Sequence, residues 1–139
     1  SDTLNALGLS YLASRGIADL SGGQAQMVAV AQTLVRAPEV ILLDEPTSAL
    51  DLHHQLSIMT SIQTEVGRRK PVVMAALHDL NLAAKFCDRL VLLRDGKVLA
   101  DGLPADILSL PVIGETYRVE TDLEKTHRGA LYVDARLRA

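Results

Sequence analysis

The sequence predicts an α/β domain with a mostly parallel sheet flanked by helices. Three aliphatic runs carry that reading: Val40-Ile41-Leu42-Leu43, residues 72–77 and Leu90-Val91-Leu92-Leu93. None shows polar alternation, which is how strands buried on both faces of a parallel sheet read. Helix-period segments lie between consecutive runs, and a β-α-β-α-β order implies right-handed crossovers. With 139 residues, 48% hydrophobic, the chain has the length of one domain and enough apolar material for a core. Only 3% of residues are aromatic and none is Trp, so that core is expected to be aliphatic.

In chain order, residues 4–14 read as a short helix. After Gly22-Gly23, residues 24–36 form a helical pattern with Met27, Val28, Ala31, Leu34 and Val35 on one stripe, ended by Pro38. The first strand follows. Asp51 is placed to cap the next helix, in which Leu52, Leu56, Met59, Ile62 and Val66 recur at steps of three and four. Arg68-Arg69-Lys70 reads as a solvated loop, and Pro71 opens the second strand. A short helix over 79–86, with Asp79 as its cap, leads to the third. Asp95-Gly96 between two apolar runs is a strong hairpin signal. Residues 104–110 suit one more short helix. The remainder, 112–139, is richer in charge and weaker in period, with an edge strand expected over 129–133.

The charge balance, 14 basic against 17 acidic residues, gives a formal net charge of −3 and no basic footprint for nucleic acid. The single cysteine, Cys87, cannot form an internal disulfide and fits a reducing compartment. No apolar run approaches the roughly 18 residues of a membrane span, and the first residues lack a basic-then-apolar signal pattern. His53-His54, His127 and Cys87 offer no C-x-x-C or H-x-x-x-H spacing, so a transition-metal site is not expected.

In a parallel sheet, ligands meet the carboxyl ends of the strands. The first run ends in Asp44-Glu45 and the second in His78. Two carboxylates and an imidazole at neighbouring strand ends are hard to explain as packing, because buried charge is costly unless paired or bound to metal. A strand-end carboxylate such as Asp44 can hold Mg²⁺, usually through water. The adjacent Glu45 can orient or deprotonate an attacking water. Leu20-Ser21-Gly22-Gly23-Gln24 precedes a helix and admits two readings: a capping box of Ser21 with Gln24, or a glycine-flanked anion site suited to phosphate. Local pattern leaves both open. Asp51 has the plain role of helix cap, and His78 alone could be a structural histidine.

Taken together and in order, these elements resemble the ATP-binding subunit of an ABC transporter. Residues 20–24 match the signature motif in full. Residues 40–44 look like the Walker B strand, Glu45 the catalytic glutamate, residues 48–51 the D-loop and His78 the switch histidine. The resemblance covers about residues 4–102. Three strings point to importers of iron–siderophores, haem and cobalamin: residues 51–56 (DLHHQL), 78–84 (HDLNLAA) and 86–93 (FCDRLVLL). The family's phosphate loop, G-x-x-x-x-G-K-[S/T], is absent, since the only Gly-Lys, Gly96-Lys97, is followed by Val98. The family's adenine-stacking aromatic and glutamine loop would lie upstream of Ser1. The chain thus looks like the carboxyl-terminal portion of such a subunit, a partial P-loop NTPase-like domain lacking the Walker A region. Residues 1–36 would end its helical subdomain, 37–102 belong to the catalytic core and 103–139 form a carboxyl-terminal extension. The family often carries basic residues just after the signature; here stand Ala25 and Met27.

The resemblance implies a head-to-tail dimer that sandwiches two ATP molecules. Ser21, Gly22, Gly23 and Gln24 would face the γ-phosphate held by the opposite subunit's phosphate loop. Asp44 would help hold Mg²⁺ through water, Glu45 would polarise the attacking water and His78 would contact the γ-phosphate. Asp51 would lie at the dimer seam. The partners implied are a second ATP-binding subunit, membrane permease subunits and, indirectly, a periplasmic or extracellular binding protein, with the subunit at the cytoplasmic face of the membrane. Two other readings stand beside it: a non-transport ABC ATPase of DNA repair or translation, and a non-enzymatic interaction module. The acidic balance and the lack of long heptad helices or basic arms disfavour the first.

Overall fold

Val40–Asp44 (β1) and Val72–Ala76 (β2) form a parallel pair, in register from Val40 opposite Val72 to Asp44 opposite Ala76. They belong to a computed structural model that describes Asn5 and residues 8–138. The chain divides into two units, Ser1–His78 and Asp79–Ala139.

In the first unit, β1 and β2 are joined by the long helix Leu52–Arg69 (α2), and β1 is preceded by Gly22–Val35 (α1). The helix expected over residues 4–14 is represented by a helical Asn5 and a 3-10 turn, Ser10–Leu12; residues 4, 6 and 7 lie outside the described residues. Helix α1 starts two residues before the stretch expected to be helical, because Ser21 caps it and both glycines enter its first turn. It ends at Val35, and Ala37 then turns into the left-handed region (φ 51°) before Pro38.

Helix α2 runs further than its apolar pattern, and here the expectation of a loop at Arg68-Arg69-Lys70 is corrected. Nothing before Pro71 breaks the helix. Arg68 and Arg69 occupy its last turn, where cations complement the helix dipole, and both pair with Glu65 at 2.8 and 3.0 Å. Lys70 closes α2 in the left-handed conformation (φ 56°), its N–H donating to the Val66 carbonyl. Met27, Val30, Ala31 and Leu34 of α1 are buried, as are Ile58, Met59 and Ile62 of α2 and Ile41 of β1. Helices α1 and α2 pack against each other.

The two strands are not buried on both faces as their runs imply. Ile41 and Leu43 turn inward, whereas Val40, Leu42, Val72 and Met74 are 57–73% exposed on the other face. An aliphatic strand needs a cover on each side to lose its alternation. Within this unit, only one side is covered.

The second unit contains Leu80–Phe86 (α3), Leu90–Arg94 (β3), Lys97–Gly102 (β4), Pro104–Leu108 (α4), Pro111–Tyr117 (α5), Val119–Lys125 (β5) and Leu131–Leu137 (β6). Asp79 caps α3, accepting from the Asn81 and Leu82 N–H groups. The third apolar run takes its ladder from β4, antiparallel, so parallel pairing is confined to β1 and β2 among the described strands. The reason is the turn: Asp95 (φ 51°) and Gly96 (φ 73°) both adopt the left-handed conformation that a two-residue hairpin demands.

The tail is more ordered than its composition implies. Helix α5 was not expected, and the edge strand foreseen over 129–133 lies instead at Leu131–Leu137, paired antiparallel with β5 over seven residues, because Gly129 belongs to the turn. Pro111 starts α5 and Arg118 closes it in the left-handed region (φ 57°). Leu92, Ile107, Leu108, Ile113 and Val133 form the core of this unit. The Asn81 side chain ties α3 to β6: its Nδ2 donates to the Val133 carbonyl (3.2 Å) and its Oδ1 accepts from the Val133 N–H (2.7 Å). Val133 is buried, so Asn81→Leu strands both backbone groups away from water. That substitution is expected to destabilise the protein by about 1–3 kcal/mol. Denaturant unfolding and amide exchange at Val133 check it; wild-type stability with wild-type Val133 protection would contradict the assignment.

Candidate functional site

The parallel register sets the site. With Asp44 opposite Ala76, the chain leaving β1 at Glu45 and the chain leaving β2 at His78 emerge side by side. Glu45 Oε1 and His78 Nε2 lie 2.6 Å apart. Both side chains face solvent, His78 76% and Glu45 45% exposed. An open pair of this kind adds little to stability, whereas it leaves an acid and an imidazole free to meet a ligand.

Glu45 is held by its backbone. Its φ of 45° is left-handed, an uncommon conformation for a residue that is not glycine. Its carbonyl accepts from Gln26 Nε2 (2.7 Å), Ser48 Oγ (3.1 Å) and the Ser48 N–H (3.2 Å). Asp44 is exposed at the end of β1, on the strand face that carries Val40 and Leu42, and forms no ion pair among the described residues. It borders an open depression shared with Gln26, Leu43 and Pro46. An uncommitted, hydrated carboxylate at that place fits a hard cation such as Mg²⁺ held through water.

The start of α1 is a complete capping box. Gln24 N–H donates to Ser21 Oγ (3.3 Å) and Ser21 N–H donates to Gln24 Oε1 (3.0 Å). The plain reading of this motif is therefore correct for Ser21 and Gln24, but it does not account for both glycines. A Cβ on Gly23 would sit 3.0 Å from the Ala49 carbonyl oxygen and 3.0 Å from Leu50 Cδ2, so Gly23 lets α1 approach the loop before α2. A Cβ on Gly22 would meet nothing within 4 Å. The fold does not require glycine there. A bare helix start with no side chain is what an approaching anion needs.

The loop over 45–51 is anchored from below. Thr47 is buried, and Gln55 Nε2 donates to the Thr47 and Leu50 carbonyls, both at 3.1 Å. Asp51 caps α2, accepting from the His54 N–H (2.9 Å) and from His54 Nδ1 (2.8 Å). The backbone bond from His54, followed by the one from its ring, holds the Asp51 carboxyl below the usual aspartate range. Its folded pKa is lower than its unfolded one, so the stabilisation is present above the ordinary aspartate pKa and is lost as pH falls through the depressed value. His53 sits edge-on to His54 at 5.3 Å.

The structure thus brings Glu45 and His78 into contact, sets Asp44 beside them on the chain, and fixes Ser21–Gln24 and Asp51 as helix caps on either side of one anchored loop. Sequence reasoning missed Gln26 and Gln55. Neither lies in a turn or a charged cluster, and the only hint is a polar residue within two otherwise apolar helix faces.

With this geometry in view, comparison with known proteins is direct. Residues 1–48 match the family model described as ABC transporter. An ATP-binding cassette solved as a dimer in a post-hydrolysis state, bound to ADP and Pi, superposes with a TM-score of 0.68 at 34% identity, over 74% of this chain and 44% of that one. A metal-chelate type ABC transporter in an inward-facing conformation shares the fold over 96% of this chain and 55% of its own, with a TM-score of 0.77 at 24% identity. The chain is similar to the ATP-binding domains of ABC transporters and has the α/β fold of their ATPases. Among curated relatives it is 38% identical to the hemin import ATP-binding protein HmuV of Rhodopseudomonas palustris (strain HaA2), over 94% of this chain and 52% of the relative. It is 38% identical to HmuV of Bordetella avium (86% and 49%). It is 41% identical to the cobalamin import ATP-binding protein BtuD of Halobacterium salinarum (73% and 26%). The chain spans about half the length of the HmuV relatives it matches.

Proposed function

We propose that the whole protein is the ATP-binding and ATP-hydrolysing subunit of an ABC importer for iron–siderophore, haem or cobalamin. The observation that carries the chemistry is the 2.6 Å contact between Glu45 and His78 at the carboxyl ends of two parallel strands. Import as the direction of transport, and a metal chelate as cargo, rest on the hemin and cobalamin import relatives.

In this reading Glu45 polarises the water that attacks the γ-phosphate and His78 contacts that phosphate. Ser21, Gly22, Gly23 and Gln24 meet the γ-phosphate of the ATP held by a second, head-to-tail subunit, and Asp51 lies at the seam between the two. Asp44 would hold Mg²⁺ through water, and the ion would neutralise charge on the phosphates. Positioning and charge stabilisation do most of the work in such phosphoryl transfer. The subunit would sit at the cytoplasmic face of the membrane on permease subunits, which a periplasmic or extracellular binding protein supplies. No helix among the described residues is long and apolar enough to cross a membrane. Residues 1–36 would end the helical subdomain, 37–102 form part of the catalytic core and 103–139 a carboxyl-terminal extension. The rest of the whole protein would cover the bare apolar face of β1 and β2.

These 139 residues contain no G-x-x-x-x-G-K-[S/T] sequence to cradle the β- and γ-phosphates. The purified 139-residue chain is expected to show no ATP turnover above background, while the whole protein turns over and co-purifies with a membrane permease. Steady hydrolysis by the short chain, abolished by Glu45→Gln, would overturn the first expectation. Co-purification with ribosomes or DNA instead of a permease would overturn the second.

A further inference from the structure

We propose that Gln26 is a positioning residue for the catalytic glutamate: its amide, reaching across from helix α1, fixes the left-handed backbone that aims Glu45. The inference rests on the assignment of Glu45 as the group that polarises water. Three donors converge on the Glu45 carbonyl. Two come from Ser48, three residues on, and belong to the turn itself. The third and shortest, Gln26 Nε2 at 2.7 Å, comes from another element 19 residues away in the chain.

A non-glycine residue with a φ of 45° carries backbone strain, and such a conformation persists only where its surroundings over-determine it. The Ser48 bonds travel with the turn and cannot set its direction relative to the sheet. Gln26 can, because α1 is locked in place by the Gly23–Ala49 approach and by its buried residues Met27 and Val30. Without the Gln26 amide the turn keeps its shape but loses its tether to the helix. The Glu45 carboxylate then wanders from His78, while the groups that bind ATP are untouched. The signature of such a residue is a loss in kcat with KM preserved.

The test uses the whole protein. Gln26→Met keeps chain length and helix propensity but has no N–H to donate, and Gln26→Lys restores a donor. Gln26→Met is expected to lower kcat about ten- to a hundredfold, with KM for ATP within about twofold, as expected for a displaced reacting group. Gln26→Lys is expected to regain part of that loss. In a Glu45→Gln background, Gln26→Met is expected to cause no further fall. Wild-type kcat in Gln26→Met would overturn the proposal, and so would a loss that multiplies with Glu45→Gln, since Gln26 would then act elsewhere. Wild-type turnover in Glu45→Gln alone would instead overturn the assignment of Glu45 on which the proposal stands. If Gln26→Met fails to fold, Gln26→Asn, whose amide is one methylene too short to reach, decides by the same criteria.

Discussion

Glu45→Gln in the whole protein is expected to cut ATP turnover by about 10²–10⁴-fold while leaving ATP binding intact, the range for removal of a positioned general base. The substitution changes one oxygen for an NH₂ group of nearly equal size. The left-handed backbone at Glu45 and the three bonds to its carbonyl do not involve the side chain and should survive it. An amide still reaches His78 but cannot accept the proton of an attacking water. ATP-bound dimer should therefore accumulate. Single-turnover hydrolysis, with light scattering to follow ATP-dependent dimerisation, reads both effects. Turnover at the wild-type rate would refute the role given to Glu45.

Gly22→Ala separates a capped helix start from an anion site. Open space surrounds the position where the new methyl group would sit, so the fold does not resist it and helix propensity favours it by up to about 1 kcal/mol. The melting temperature of the variant is expected to equal or slightly exceed that of wild type. If a γ-phosphate approaches this turn in the assembled dimer, the methyl group occupies its path. ATP turnover should then fall about tenfold or more, the cost of a small displacement at a reacting centre. Gly23→Ala is the contrasting case: its methyl group would press on the Ala49 carbonyl and Leu50, so thermal stability and turnover should fall together. Calorimetry and ATPase assays on both variants decide. A Gly22→Ala protein with wild-type turnover would reduce residues 21–24 to a helix cap.

Much of the fold was legible because its punctuation is local. Asp51 and Asp79 cap the helices they were expected to cap, Ser21 forms the capping box that was one of its two readings, and Asp95-Gly96 forms the hairpin turn its two left-handed residues require. The tail was harder for a physical reason. Val119, Thr121 and Leu123 lean inward while Glu120, Asp122 and Glu124 face out, so the strand's alternation is carried partly by threonine and submerged in charge. Arg136 of the neighbouring strand pairs across the hairpin with Asp122 and along its own strand with Asp134, so part of that charge becomes a cross-strand contact. The extent of burial was misjudged for β1 and β2, since an aliphatic run records the covers a strand has evolved to meet, not those present in one unit.

At the site, the strand-end residues Asp44, Glu45 and His78 could be named from their positions after apolar runs. The convergence of Glu45 and His78 depends on a register that no single strand encodes. Gln26 acts through a backbone carbonyl 19 residues away and Gln55 through the carbonyls of the loop before its own helix, contacts that no local sequence pattern marks.

The most direct measurement is a structure of the whole Glu45→Gln protein with Mg²⁺ and ATP. The account requires a head-to-tail dimer with Ser21 and the Gly22–Gln24 turn within hydrogen-bond distance of a γ-phosphate held by the other subunit, and with residues 45 and 78 around the γ-phosphate of their own. Nucleotide bound with residues 21–24, 45 and 78 all remote from any phosphate would contradict it.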